Sequence, residues 1–278
     1  MRALAAARYA PPAHLARLAA AVGADAGPRS VADALWGFAV LQHEPEAMLQ
    51  NEARLVAGLQ ANAASRRGAR DAARTAWALA ALRCEASPLF AAALAAAAAA
   101  PPGALDGAAL SQLHLAAVAA SAARVDPPPG AGPALAAASD AAAARAASLV
   151  KAPTVLQAEV AAALAGVVGK RAVSVEGIDP VTRLPVDALI SVDALASPDT
   201  SRLDRGVAVE ADGPSHWLRG ASTVPAPDDG ATALKTRMLT AAGWTVVRVR
   251  ADAWGRLDGA GRAAWALEAL VGAGAVPG

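Results

Sequence analysis

Val207-Ala208-Val209-Glu210-Ala211-Asp212-Gly213-Pro214-Ser215-His216-Trp217 is the stretch on which the fold turns. Its first half reads as a strand from Gly206 to Asp212, and Gly213-Pro214 forces a turn directly after it. Side chains two apart on a strand share a face, so Glu210 and Asp212 point the same way. Upstream, Leu184 to Val192 alternates, with Val186, Ala188, Ile190 and Val192 on one face. Ala172 to Glu176 is a shorter strand, and Thr154 to Val168 is a helix with Gly169 as its C-cap. Downstream, Asp228 or Asp229 caps a helix from Gly230 to Ala242, which Gly243 stops. Trp244 to Arg250 is a β-rich run, and Arg262 to Val271 forms a last helix carrying Trp265. Trp254 and Trp265 read as core. The order α-β-β-β-α-β-α over residues 153–278 makes an α/β layer sandwich of about 125 residues, enough for its own core.

Residues 1–152 carry a helical period instead. The stretches 34–41, 75–82 and 112–118 look alike, with Trp36, Trp77 and His114 as apparent counterparts. Second helices fall at Glu46 to Ala61, Pro88 to Ala100 and Pro133 to Leu149, with Gly68, Pro101-Pro102-Gly103 and Pro127-Pro128-Pro129-Gly130 as breakers. A helix pair recurring at roughly 40 residues is the signature of an α-solenoid, whose units bury their apolar faces only by stacking.

Hydrophobic residues make up 55% of the 278, but alanine supplies much of that and aromatics only 3%. Packing must therefore rest on close alanine contacts. Of 25 basic residues only three are lysine, and the net charge is +1. There is no basic tail, so any nucleic-acid affinity needs a localised patch. The single cysteine, Cys84, excludes an internal disulfide and reads as a small core residue. The longest apolar run, Leu89 to Ala100, is too short to span a membrane. The first 24 residues hold Arg2, Arg8 and Arg17 and no acid, as in an organelle transit peptide, although Ala13 to Val22 also reads as a repeat helix.

Asp187 sits on the strand beside Glu210 and Asp212. On the following helix Leu234, Met238 and Ala241 form the apolar stripe, flanked by Lys235 and Arg237, so Lys235 can reach over the sheet edge. Three carboxylates and a lysine on one face suit Mg²⁺ or Mn²⁺ and phosphodiester cleavage. The same residues also admit turn chemistry at Asp212 and a structural ion pair at Glu210.

The strings Val186-Asp187-Ala188-Leu189, Val207 to Trp217 (Glu-x-Asp-Gly-Pro-Ser-His), Thr232-Ala233-Leu234-Lys235-Thr236-Arg237-Met238-Leu239 and Gly243-Trp244-Thr245-Val246-Val247 with Trp254 resemble the RAP domain, over roughly Ala172 to Leu270. The helices before them resemble the repeats of octotricopeptide and FAST kinase-like proteins. The resemblance implies an α-solenoid followed by a restriction-endonuclease-like α/β domain. It also implies single-stranded organellar RNA as partner, in mitochondrion or chloroplast, with a part in transcript processing, stability, translation or rRNA maturation. Carried over by position, Asp187 and Glu210 are the metal carboxylates. The lysine expected two residues after the second acid is replaced by Asp212, which puts cleavage in doubt and leaves Lys235 as a substitute.

Expected RNA contacts are His216 and Trp217 beyond the strand end, Lys235, Arg237, Arg248 beside Arg250, and Arg66, Arg70 and Arg74 on one helix face. A solvated surface fits those arginines equally well. Three functions follow from the residues. One is an RNA-binding protein that also meets RNA-processing proteins. The second is a metal-dependent endoribonuclease using Asp187, Glu210, Asp212 and Lys235. The third is a scaffold contacting proteins alone.

Overall fold

Ser65 and Asp106 show how the helical part is punctuated. Each has an extended backbone, and each side-chain oxygen accepts an N–H three residues on, from Gly68 and Ala109. That arrangement satisfies the first orphan donors of a helix. Thr154 and Gln157 do the same reciprocally as a capping box. The computed structural model describes residues 1–9, 11–22, 26–149, 151–195, 203–219 and 226–277. In chain order the elements are α1 (Arg2–Ala7), α2 (Pro12–Ala21), α3 (Pro28–Val40), α4 (Glu46–Leu49), α5 (Glu52–Asn62), α6 (Arg66–Ala81), α7 (Pro88–Ala98), α8 (Gly107–Ala122), α9 (Gly132–Leu149) and α10 (Val155–Val168). Then follow β1 (Val173–Ile178), β2 (Pro185–Ser191), β3 (Gly206–Asp212), α11 (Gly230–Ala241), β4 (Trp244–Arg250), α12 (Ala251–Trp254) and α13 (Gly259–Gly272).

The helix ends recur with a fixed step. Gln42, Arg83 and Arg124, 41 positions apart, all adopt left-handed backbone, with φ of 50°, 61° and 58°. The next residue in each case donates back to a helical carbonyl: His43 to Phe38, Cys84 to Leu79 and Val125 to Ala120. This is one C-terminal cap used three times, the six-to-one bond of a Schellman motif. The step corrects the reading of the repeats: Val118, not His114, is the counterpart of Trp36 and Trp77. It also shows that Gly68 is no breaker, since it lies inside α6. The expected helix from Glu46 to Ala61 is two helices, α4 and α5. α3 packs on α6 and α6 on α8, while α5 packs on α7. Ala69, Ala72, Ala73, Ala76 and Ala80 of α6 are fully buried, which lets neighbouring helices approach closely.

The described chain forms two compact units. One is Met1–Arg145 with His216–Lys235, the other Ala146–Ser215 with Thr236–Gly278. Residues 216–235, which include the expected His216 and Trp217 contacts and the first turns of α11, thus group with the N-terminal helices.

In the second unit the sheet order is β1-β2-β3-β4, with two antiparallel pairings and a parallel β3–β4. β3 is buried along its whole length, as a strand covered on both faces must be. Val207, Val209 and Ala211 join Ala188, Ile190, Val249 and Trp254 in a core with Val160 and Leu164 of α10 and Ala266 and Leu270 of α13. Ala208 lies on the opposite face with Leu239 and Trp244. Val186 belongs to this second cluster, which corrects its expected place beside Ala188 and Ile190.

The cause is a bend in the β1–β2 hairpin. The β2–β3 pairing ends at Ala188 and Val209, whereas β1 stays paired with β2 as far as Pro185. Glu176 takes left-handed backbone with φ 52° and drops out of the ladder. Next to it, a Cβ on Gly177 would lie 2.5 Å from the Leu189 side chain. A side chain there would have to displace the end of Leu189. On α11 the buried stripe is Leu234, Met238 and Leu239, while the expected Ala241 is exposed.

Candidate functional site

Beyond the last β2–β3 pair, Ala188 and Val209, the Asp187 side chain takes over as acceptor. Its Oδ2 accepts the Ala211 N–H at 2.7 Å, and its Oδ1 accepts from Gln157 Nε2 of α10 at 2.6 Å. Both carboxylate oxygens are thus committed to holding the seam, and the side chain leans to the α10 side.

Glu210 and Asp212 face the other way. They alternate with Val209 and Ala211, which point into the α10–α13 core, so both acids belong to the face of Ala208. Both are buried, at 4% and 1% exposure. Asp212 takes Nε and Nη2 of Arg248, each at 2.7 Å, from the neighbouring strand β4. A charge-assisted contact of this kind is what lets a carboxylate stay inside. Arg248, expected at phosphate, therefore neutralises Asp212. Arg250 on the same face pairs with Asp252 at 3.1 Å.

The alternation expected to place Asp187, Glu210 and Asp212 on one face does not do so. On the face toward which Asp187 leans, the β3 residues are Val209 and Ala211, neither of which can hold a cation. Among the described residues no three His, Cys, Asp or Glu side chains come together to hold a metal ion. The residues do not fit the Mg²⁺ or Mn²⁺ site that the fold resemblance implies, because Asp187 is spent on Gln157 and Ala211 and Asp212 on Arg248. Lys235 belongs to the other compact unit and is half-buried, as is Arg237.

In the first unit, the loop bearing His216 and Trp217 is anchored rather than free. The Trp217 backbone bridges to Asp228, and Asp229 N–H donates to the His216 carbonyl at 2.9 Å. His216 Nδ1 lies 3.2 Å from Thr232 Oγ1. Asp229, not Asp228, caps α11 through the Thr232 N–H at 2.9 Å, and its other oxygen takes Arg8 Nε at 2.8 Å. Gly230 sits so close to the end of α3 that a Cβ would meet the Ala39 carbonyl oxygen at 1.9 Å. Both His216 and Trp217 are half-buried, so the expected exposed stacking tryptophan is not presented.

Arg66, Arg70 and Arg74 do lie four apart on one helix, α6. Their surroundings differ. Arg74 pairs with Asp33 of α3, and Arg70 donates to the Ala104 carbonyl and lies 3.4 Å from Asp106. Arg66 and Arg67 are exposed, and no acid pairs with them among the described residues. They are the exposed end of the basic row, with Arg67 within electrostatic reach of Asp71.

Sequence reasoning missed Asp179. It is fully buried, accepts the Thr182 and Val181 N–H groups at 2.6 and 3.1 Å, and takes Trp244 Nε1 and Arg205 Nη1 at 2.8 and 2.9 Å. Burial by itself pushes this carboxyl up. The hydrogen bonds from Thr182 and Trp244 and the Arg205 guanidinium outweigh it and hold the group below the usual range. The Asp179-Pro180 pair was the available signal, as turn chemistry ahead of a strand.

Residues 209–263 match the family model of the RAP domain, and the chain carries a RAP domain there. No curated protein matches the chain. RAP domains are generally associated with RNA binding. Among the described residues no helix is long and apolar enough to cross a membrane.

Proposed function

We infer that this protein binds single-stranded RNA, using its RAP domain as a binding module and its stacked helices as the reading surface. The observation that carries this reading is the RAP domain match over residues 209–263. The engagement of Asp187 and Asp212 in structural hydrogen bonds favours binding over cleavage. The exposed Arg66 and Arg67 offer the first contacts for phosphates, as guanidinium groups free to release counterions. The resemblance of the helices to octotricopeptide and FAST kinase-like repeats is what favours a mitochondrion or chloroplast as the setting. There the protein acts in processing, stability or rRNA maturation, alongside RNA-processing proteins.

The test is fluorescence anisotropy with a labelled single-stranded RNA across a salt series. Binding weakens steeply as salt rises, and an Arg66→Glu, Arg67→Glu variant binds more weakly with a shallower salt slope, by about one unit per lost phosphate contact. Absence of binding at low salt, or a slope unchanged by the charge reversal, overturns the reading or its surface respectively.

A further inference from the structure

Between α3, α5 and α6 lies a cavity of about 290 Å³. That is the small end of the range for ligand pockets, about 300 Å³ and upward, and it suits a single flat heterocycle. Its apolar walls are Val31, Leu55, Leu59 and Leu89. Four polar side chains also line it: Arg54 and Asn62 from α5, and Asp71 and Thr75, one turn apart on α6. Asp71 is 8% exposed and Thr75 1% exposed, and no described residue donates a hydrogen bond to the Asp71 carboxylate. The Asp71 oxygens are not among the fully buried polar atoms that lack a partner, so they stay within reach of a group entering the cavity. Burial pushes the Asp71 carboxyl up, with the nearby Arg74 charge working against it. Arg74 itself is committed to Asp33.

Two adjacent N–H donors are the pattern a carboxylate such as Asp71 accepts best. Among the nucleobases only the pairing edge of guanine presents them, as N1–H beside the exocyclic amine. Adenine and cytosine offer an amine beside an acceptor nitrogen, and uracil offers one N–H between two carbonyls. Guanine then places its O6 next in line, where a hydroxyl one turn along the helix can donate. Arg67, Asp71 and Thr75 are spaced four apart, so they share one face of α6, with exposed Arg67 a turn before the carboxylate.

We propose that this cavity is a nucleobase pocket that takes a guanine unstacked from single-stranded RNA, with Asp71 accepting from its N1–H and amine and Thr75 donating to its O6. The proposal rests on the RNA-binding reading above and names the base it selects. Apolar walls replace the neighbouring bases of the stack, and Arg66 and Arg67 hold the adjoining phosphates.

The experiment uses the full chain and three labelled oligouridylates, each with one central guanosine, inosine or adenosine, together with a competition by free GMP. The guanosine strand binds about tenfold more tightly than the adenosine strand, as expected for one bidentate contact. Inosine, which lacks the exocyclic amine, loses part of that preference. Asp71→Asn, which keeps the shape of the side chain, and Thr75→Val each reduce the guanosine preference. Equal affinity for all three strands overturns the pocket while leaving RNA binding intact. Failure of every strand to bind strikes the RNA reading. In that case saturable GMP binding lost in Asp71→Asn keeps the guanine pocket, and no GMP binding removes it too. The inosine arm needs no variant, so the result does not hang on how Asp71→Asn folds.

Discussion

The Asp187 carboxylate accepts the Ala211 N–H at 2.7 Å, taking the place of a β2 carbonyl that the strand has carried away. Asp187, a metal ligand in the expectation drawn from the resemblance, is thereby built into the sheet as a structural acceptor. Replacing it with alanine leaves a buried N–H and the Gln157 amide without their acceptor. Asp187→Ala is expected to lose about 1–3 kcal/mol of stability in urea unfolding. Asp187→Asn, which retains one acceptor oxygen, loses less. A fully stable Asp187→Ala variant would show that the seam does not need it.

Half-buried Arg248 and buried Asp212 form a pair whose two members cannot be removed separately without cost. Arg248→Ala takes the guanidinium from a carboxylate that is 1% exposed and is expected to destabilise the domain by about 1–3 kcal/mol. Adding Asp212→Ala to that variant costs less than the two single changes summed, which a double-mutant cycle in denaturant detects. Strict additivity would mean that the two charges do not depend on one another.

Asp179 makes the stability of the sheet domain sensitive to acid. Its carboxyl titrates below the ordinary range in the folded chain, so the unfolded chain takes up the proton first. The contribution is fully present above the unfolded value, about 3.9, and is lost as pH falls through the lower folded value. An acid titration of the unfolding midpoint should therefore fall less steeply for Asp179→Asn than for the parent. Parallel curves for the two proteins would remove Asp179 as the cause.

Cys84 lies at the end of the α6 repeat, and burial together with Glu44, Glu85 and Glu52 pushes its thiol up to about 11. At neutral pH almost none is thiolate, and the thiolate is the reactive form. Iodoacetamide should modify Cys84 many times more slowly in the native protein than in urea. Equal rates would show that the thiol is neither buried nor shifted.

Arg8 and Asp229 tie the first helix to the loop that follows β3. Arg8→Ala leaves the buried Asp229 carboxylate without its cation, and Asp229→Ala removes the α11 cap as well. The second change should lower the thermal midpoint more, since a lost cap alone costs about 1 kcal/mol. The reverse order would show that the cap carries little of the energy.

Much of this was written in local sequence. Trp244–Arg250 is the strand that its β-rich run predicts, Thr154-x-x-Gln157 caps the helix it precedes, and Trp254 lies in the core, with the half-buried Trp265 packed edge-on against it at 5.3 Å. What escaped were properties set by tertiary contact. Alternation alone put Asp187 on the face of Glu210, because period-two reasoning assumes that the ladder continues. The left-handed Glu176 that breaks it carries no marker in its own residue type. The repeat register slipped to His114 because alanine-rich helices offer few size contrasts. The helix ends at Gln42, Arg83 and Arg124 held the true spacing, yet none of them is the glycine that usually betrays such an end. Nothing in the local sequence marks Asp71 of α6 as a residue of the cavity that α3 and α5 help to line.

The most direct measurement incubates the purified protein with labelled single-stranded RNA in Mg²⁺ or Mn²⁺ and in EDTA, and scores binding and cleavage together. The account predicts a complex of the same affinity in EDTA as in metal, with the RNA intact throughout. Metal-dependent cleavage that disappears in Glu210→Gln would contradict it and return the carboxylates to catalysis.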